Sequence, residues 1–201
     1  MPGDHIFLFD LDSTITKQEI LPTIAARLGK EEEMRNLTEE AMIGSIPFRD
    51  SFLSRVDLLK GVPVSEVSAA IADIPVHEEL CAFMRKHKDR CFIVTGNLDV
   101  WIDGLVRRIG MEGNVYSSKG IVLDDRLLGV ASVIDKNLTV DQFVGSFVAV
   151  GDGSNDADMI SRAEVGIGFG AVRPVAPSVL EVCSHAIYDE GCLVQFLERL
   201  L

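Results

Sequence analysis

Asp10-Leu11-Asp12-Ser13-Thr14 follows directly on the apolar run Ile6-Phe7-Leu8-Phe9. Two carboxylates two residues apart at a strand end suit a hard cation, or a nucleophile beside an acid/base. Asp and Ser are also common in the turn that closes a strand, so the motif taken alone leaves both readings open. Alternate residues of an extended chain point the same way, so Asp10 and Asp12 are expected to face one site. Gly151-Asp152-Gly153-Ser154-Asn155-Asp156 follows a second apolar run, Phe147-Val148-Ala149-Val150. Its glycines permit a tight turn with backbone close to a ligand, while Ser154 or Asn155 would serve equally as a helix N-cap. Carboxylates gathered from two strand ends suit Mg²⁺, which takes few carboxylates together with water and phosphate.

Thr95-Gly96-Asn97 follows a third run, Cys91-Phe92-Ile93-Val94. A hydroxyl and a free N–H at a helix start make a phosphate cradle; the same residues make a plain N-cap. Lys136, in Ile134-Asp135-Lys136-Asn137, would neutralise an anionic intermediate if it stood near one. Out of context it reads as a solvated surface lysine.

The runs that carry these residues are short, β-rich and free of alternation, as strands buried on both faces are. Val165-Gly166-Ile167-Gly168-Phe169 is a fourth. Amphipathic stretches at 77–90 and 98–109 read as helices, the second stopped by Gly110. Strand and helix in alternation predict an α/β fold: a Rossmann-like, mostly parallel sheet with ligands outside the carboxyl ends of its strands. Asp10, Thr95 and Asp152 all fall there. Between Thr16 and Ile74 the alternation stops and helical patterns take over. Glu31–Met42 is charged and helix-prone; 45–60 carries Phe48, Phe52, Val56 and Leu59 at helical spacing; Val64, Val67 and Ile71 form a third stripe between Pro63 and Pro75. A small helical cap is expected at 16–75, inserted after the first strand into a core of 1–15 and 76–201. A hairpin is expected near 121–130.

The chain has 201 residues and a net charge of −12 from 19 Lys+Arg and 31 Asp+Glu. That balance speaks against nucleic acid or an anionic membrane as partner. It leaves a phosphorylated substrate open, because a local cation or metal reverses the local field. Cys81, Cys91, Cys183 and Cys192 form no Cys-x-x-Cys pair and are expected to be thiols of a reducing cytoplasm. Met1–His5 has no basic or apolar leader character, and no apolar run approaches the ~20 residues a membrane span needs.

The order Asp-x-Asp-x-Thr, Thr-Gly, Lys, Gly-Asp-Gly-x-Asn-Asp resembles the haloacid dehalogenase-like phosphatases over nearly the whole chain. The resemblance implies a helical cap after the first motif, closing on the core through connections near Thr16 and Pro75. It implies that Asp10 attacks phosphorus and Asp12 serves as acid, then base. Mg²⁺ would be held by Asp10, the Asp12 carbonyl, Asp152 and Asp156. Thr95, Gly96 and Lys136 would hold the phosphoryl oxygens, and Asn155 would orient phosphate or water. Within the family the pattern is similar to the branch that hydrolyses O-phospho-L-serine, a small phosphorylated metabolite. There the residues matching Glu19 and Arg55 bind the substrate amine and carboxylate, and Met42 and Phe48 match the apolar side of the cap. Thr16-Lys17-Gln18-Glu19 is also a capping box, and Arg55 could snorkel to solvent rather than face a cleft. Asn97 stands where the family has a second glycine, and Ala171-Val172-Arg173-Pro174 stands for Ala-Lys-Pro. These departures keep another small phosphomonoester, a sugar phosphate or a nucleotide, as the alternative substrate. A receiver-type domain that holds phospho-Asp without turnover is the alternative of another class; the second Asp and the helical insertion speak against it.

Overall fold

Ile6-Phe7-Leu8-Phe9 carries no polar side chain, so strand β1 (Ile6–Phe9) is at home only where both faces are covered. In the computed structural model, which describes residues 5–27, 29–42 and 46–201, it lies at the centre of a sheet. Phe7 and Phe9 join one apolar layer and Leu8 joins the other, with Val94, Ala149, Met159 and Val179. Each fully buried side chain of this size contributes about 1.5–3 kcal/mol.

Four helices follow β1: α1 (Ile20–Arg27), α2 (Glu31–Met42), α3 (Phe48–Leu59) and α4 (Val64–Ala72). The alternation then resumes with α5 (Glu78–Lys86), β2 (Cys91–Leu98), α6 (Asp99–Arg108), β3 (Val115–Leu123), β4 (Arg126–Ser132), α7 (Lys136–Thr139) and β5 (Phe147–Gly151). It closes with α8 (Ala157–Ser161), β6 (Val165–Phe169), α9 (Pro177–Leu180), β7 (His185–Ile187) and α10 (Glu190–Glu198). Among the described residues the seven strands run in the order β4-β3-β2-β1-β5-β6-β7. All neighbours are parallel except β3 and β4. This is the α/β, Rossmann-like sheet expected. Among the described residues the four cysteines are free thiols, and no helix is long and apolar enough to cross a membrane.

The predicted hairpin is β3–β4. Its two turn residues, Asp124 and Asp125, have φ of 48° and 60°, the left-handed pair that a two-residue turn between twisted strands requires. The tip reaches α4. The Val64 N–H donates to the Asp125 carbonyl at 2.8 Å, and the Ser65 N–H donates to the Asp125 carboxylate at 2.8 Å. Arg126 donates to the Gly61 carbonyl at 3.0 Å. On its other side α4 buries Val67 and Ile71 and lies close on α6. A Cβ at Gly104 would stand 3.1 Å from that of Ala72. At the base of the helical insertion Thr16 and Val76 form an antiparallel bridge.

Candidate active site

Asp10 ends β1, its N–H donating to the Val150 carbonyl at 2.9 Å. The extended alternation expected to align Asp10 with Asp12 does not continue past this point. Instead the chain wraps the Leu11 carbonyl, which accepts from the N–H groups of Ile15 and Thr16 at 3.0 Å each. Ser13 passes through φ 60°, a conformation uncommon for a residue with a Cβ. The turn still brings both carboxylates to one cleft. Asp12 accepts from the Ile20 N–H at 2.7 Å, so it also caps α1. The capping box read at Thr16–Glu19 does not form, because the Thr16 hydroxyl bonds the carbonyls of Leu11 and Gln18.

β5 delivers Asp152, buried, beside Asp10. Asp156 closes a 3₁₀ turn and folds back: one carboxylate oxygen accepts from the N–H groups of Asp152 and Gly153 at 3.1 and 2.9 Å. Gly151 leaves it room, since a Cβ there would collide with Asp156. Lys136 is not the solvated lysine its local sequence suggested. It is buried at the start of α7, donates to Asp156 at 2.6 Å and forms a second, shorter contact with Asp10. Burial pushes the Asp10 carboxyl up to about 7, against the pull of Lys136. Burial also drives Asp152 well above the carboxylate range, and Arg173 only partly offsets it. Burial works against the Lys136 ammonium, but Asp10 and Asp156 outweigh it and raise its pKa. Oxygens of Asp10, Asp152 and Asp156 lie within 4.8 Å of one another. An all-oxygen, acidic, buried donor set of this kind fits a hard divalent cation.

Thr95, Gly96 and Asn97 belong to the end of β2, not to a helix start; α6 begins only at Asp99. The continued pairing of β2 with β3 at Thr95 and Leu98, across an irregular register, keeps them in the strand. The Asn97 side-chain amide donates to Thr95 Oγ1 at 3.3 Å and to Asp12 at 3.4 Å. Ser118, on β3, donates to the Gly96 carbonyl at 2.7 Å and fixes that peptide.

The cleft above these strand ends, about 490 Å³ including its open mouth, is lined by Asp10, Asp12, Glu19, Arg55, Thr95, Gly96, Asn97, Asp152 and Asn155, with Leu21, Phe52 and Arg173. Arg55 is buried on α3 and does not snorkel. Lys136 and Asp156 stand behind Asp10. The side chains of Met42 and Phe48, at the ends of α2 and α3, lie outside the described residues. Arg173 is the residue that sequence reading did not place in the site. It contacts Glu19 through Nη1 and Asp152 through Nε. A usable signal existed: Arg173 lies in the loop that follows the apolar strand β6, at the same carboxyl end of the sheet as the other site residues.

Across residues 7–161 the sequence matches the model of haloacid dehalogenase-like hydrolases. The chain belongs to that family. A haloacid dehalogenase-like hydrolase is an enzyme, and the receiver-type signalling alternative falls with this finding. A phosphoserine phosphatase of Methanocaldococcus jannaschii is 30% identical, covering 89% of this chain and 90% of that one. One of Archaeoglobus fulgidus is 32% identical over 83% of this chain and 53% of its own length, so the chain spans about half of that relative. A solved phospho-aspartyl intermediate analogue of phosphoserine phosphatase superposes with TM-score 0.81 at 28% identity, over 96% of this chain and 98% of that one. A substrate-bound phosphoserine phosphatase complex also gives 0.81, at 27% identity over 98% of both chains.

Proposed function

We propose that this hydrolase converts O-phospho-L-serine to L-serine and phosphate through an aspartyl phosphate on Asp10. One observation carries the reading: a single cleft holds Asp10 and Asp12 at its floor with a carboxylate, Glu19, and a guanidinium, Arg55, on its wall. That is the complement of a phosphate ester bearing both an ammonium and a carboxylate. The curated relatives carry the same activity in their names.

The Asp10 carboxylate attacks phosphorus and the bond to the serine oxygen breaks. Asp12 gives its proton to that oxygen. Burial holds the Asp12 carboxyl above its ordinary range despite the Ile20 N–H, which suits a group that must begin protonated. Asp12 then takes a proton from the water that attacks the aspartyl phosphate, and Asp10 is released. Lys136, Thr95 and the Gly96 N–H would hold the phosphoryl oxygens, with Asn155 orienting phosphate or water. Phosphoryl transfer needs this positioning and charge compensation more than new bonds. Asp10, Asp152, Asp156 and the Asp12 carbonyl would hold Mg²⁺, which supplies positive charge to the transferred group.

Residues 16–75 would act as a cap over a core of 1–15 and 76–201, with Met42 and Phe48 on its inner side. The reducing cytoplasm suits the four free thiols. The second reading, the same chemistry on another small phosphomonoester, is favoured by Asn97, whose side chain reaches Asp12.

The test is phosphate release with Mg²⁺ from O-phospho-L-serine beside a panel of small phosphomonoesters, with Asp10→Asn as control. Preference for phosphoserine, lost in the control, is the expected result. Preference for a different ester, equally lost, moves the reading to the second.

A further inference from the structure

Glu19, assigned above to the substrate ammonium, already has a cation. Arg173 reaches over from the loop after β6 and contacts Glu19 and Asp152 with one guanidinium. Both side chains of the Glu19 pair are 21% exposed, so water screens the contact only in part. Burial and the nearby Asp12 push the Glu19 carboxyl up to about 7, and Arg173 and Arg55 oppose them.

An ammonium arriving at Glu19 therefore exchanges one ion pair for another. An ester that lacks the amine leaves Arg173 in place and Glu19 still compensated. If Arg173 were absent, the same ester would seal Glu19 in the cleft without that cation, either charged or after taking up a proton, and both are unfavourable. We propose that Arg173 is a specificity-determining residue, the built-in counter-ion of Glu19 that lets the cleft take short O-phosphorylated carboxylic acids with or without an amine. The proposal rests on the phosphoserine reading and widens its substrate class.

The experiment compares kcat/KM for O-phospho-L-serine and for 3-phosphooxypropanoate, the same ester without the amine, in the wild type and in Arg173→Met. Because Arg173 also touches Asp152, the variant is expected to slow both esters, and their ratio cancels that common loss. The preference for the amine-bearing ester is expected to rise at least tenfold in Arg173→Met, and to vanish in Glu19→Gln with or without Arg173. An unchanged or reduced preference in Arg173→Met overturns the proposal.

A thermal double-mutant cycle decides the pairing independently of turnover. Arg173→Met is expected to lower Tm by several degrees, and Glu19→Gln added to it to restore the part that belongs to Glu19, while the part that belongs to Asp152 remains. Additive shifts overturn the proposal. A wild type that cleaves neither ester would instead fail the phosphoserine reading, and the thermal cycle would still accept or reject the Glu19–Arg173 pair.

Discussion

Gly151 has no room for a methyl group because Asp156 fills it: a Cβ there would stand 2.5 Å from Cγ of Asp156. Gly151→Ala is therefore expected to push the Asp156 carboxylate off the N–H groups of Asp152 and Gly153 and away from Lys136. Overpacking of this kind costs about 1–3 kcal/mol. A matching fall in Tm and a drop in kcat of at least tenfold are expected, read by thermal denaturation and steady-state phosphate release. Unchanged kcat would show that Asp156 can move without consequence.

Lys136 is 3% exposed in its side chain and lies between carboxylates that are 6% and 1% exposed. Removing one partner of a buried ionic cluster leaves the others uncompensated, at a cost of about 3–5 kcal/mol. Lys136→Met is expected to lose that much stability in denaturant titration and at least a hundredfold in kcat. Asp10→Asn added to Lys136→Met relieves one of the stranded charges, so the double variant should be more stable than Lys136→Met alone.

Glu190, at the start of α10, accepts from His77 Nδ1 at 2.9 Å and from the N–H groups of Glu79 and Leu80 at 2.7 and 3.3 Å. It thereby caps α5 from another helix, and Lys17 lies 3.3 Å away. Burial raises its carboxyl, but these donors outweigh burial and hold it below the usual range. A depressed carboxylate contributes stability that is present above its unfolded pKa and lost as pH falls through the folded one. Glu190→Gln is expected to cost about 1–2 kcal/mol at pH 7, with the difference shrinking to nothing in acid, as urea titrations from pH 7 down to pH 3 would show. A deficit that persists at pH 3 would assign the effect to packing instead.

Ala72 and Gly104 bring α4 and α6 close enough for a covalent bridge, since disulfide-linked Cβ atoms stand about 3.5–4.5 Å apart. Cysteines at both positions are expected to close on oxidation and to leave kcat within twofold, because the hairpin tip at Asp125 already ties the front of α4 to the core. Activity lost on oxidation and recovered with reductant would show that α4 must move relative to α6 together with the rest of residues 16–75.

β1, β2, β5 and β6 were legible because each opens on an apolar run, and α2 because its stretch is charged and helix-prone; β7, three residues beginning at His185, offers no such run and was not read. Lys136 was legible as a candidate from the order of the motifs, but its burial and its two ion pairs were not. What buries it is a pair of carboxylates from β1 and from beyond β5, and nothing within its own neighbourhood announces them. Glu19 was legible as a candidate, but its neighbour Thr16 was misread because a hydroxyl at that spacing has several carbonyls to choose from. Arg173 was noted only as a departure from Ala-Lys-Pro, and its place in the loop after β6 did not by itself reveal its partners, Glu19 and Asp152, which tertiary structure supplies. The turn at Ser13 escaped because its φ is set by the wrapping of the Leu11 carbonyl, not by the preference of serine.

β1 meets β2 on one edge and β5 on the other, and Lys136 reaches Asp10 across 126 residues. Contacts that distant must meet the entropy of loop closure before they return anything, so they are expected to form late in folding. Until β5 docks, Asp10 is an ordinary aspartate in water. A chain that had formed only its helices, or one cut short before Asp156, would be inert, and recovery of turnover during refolding would lag behind recovery of helical signal. The nucleophile lies near the start of the sequence, and its surroundings wait on residues from the far side of the chain.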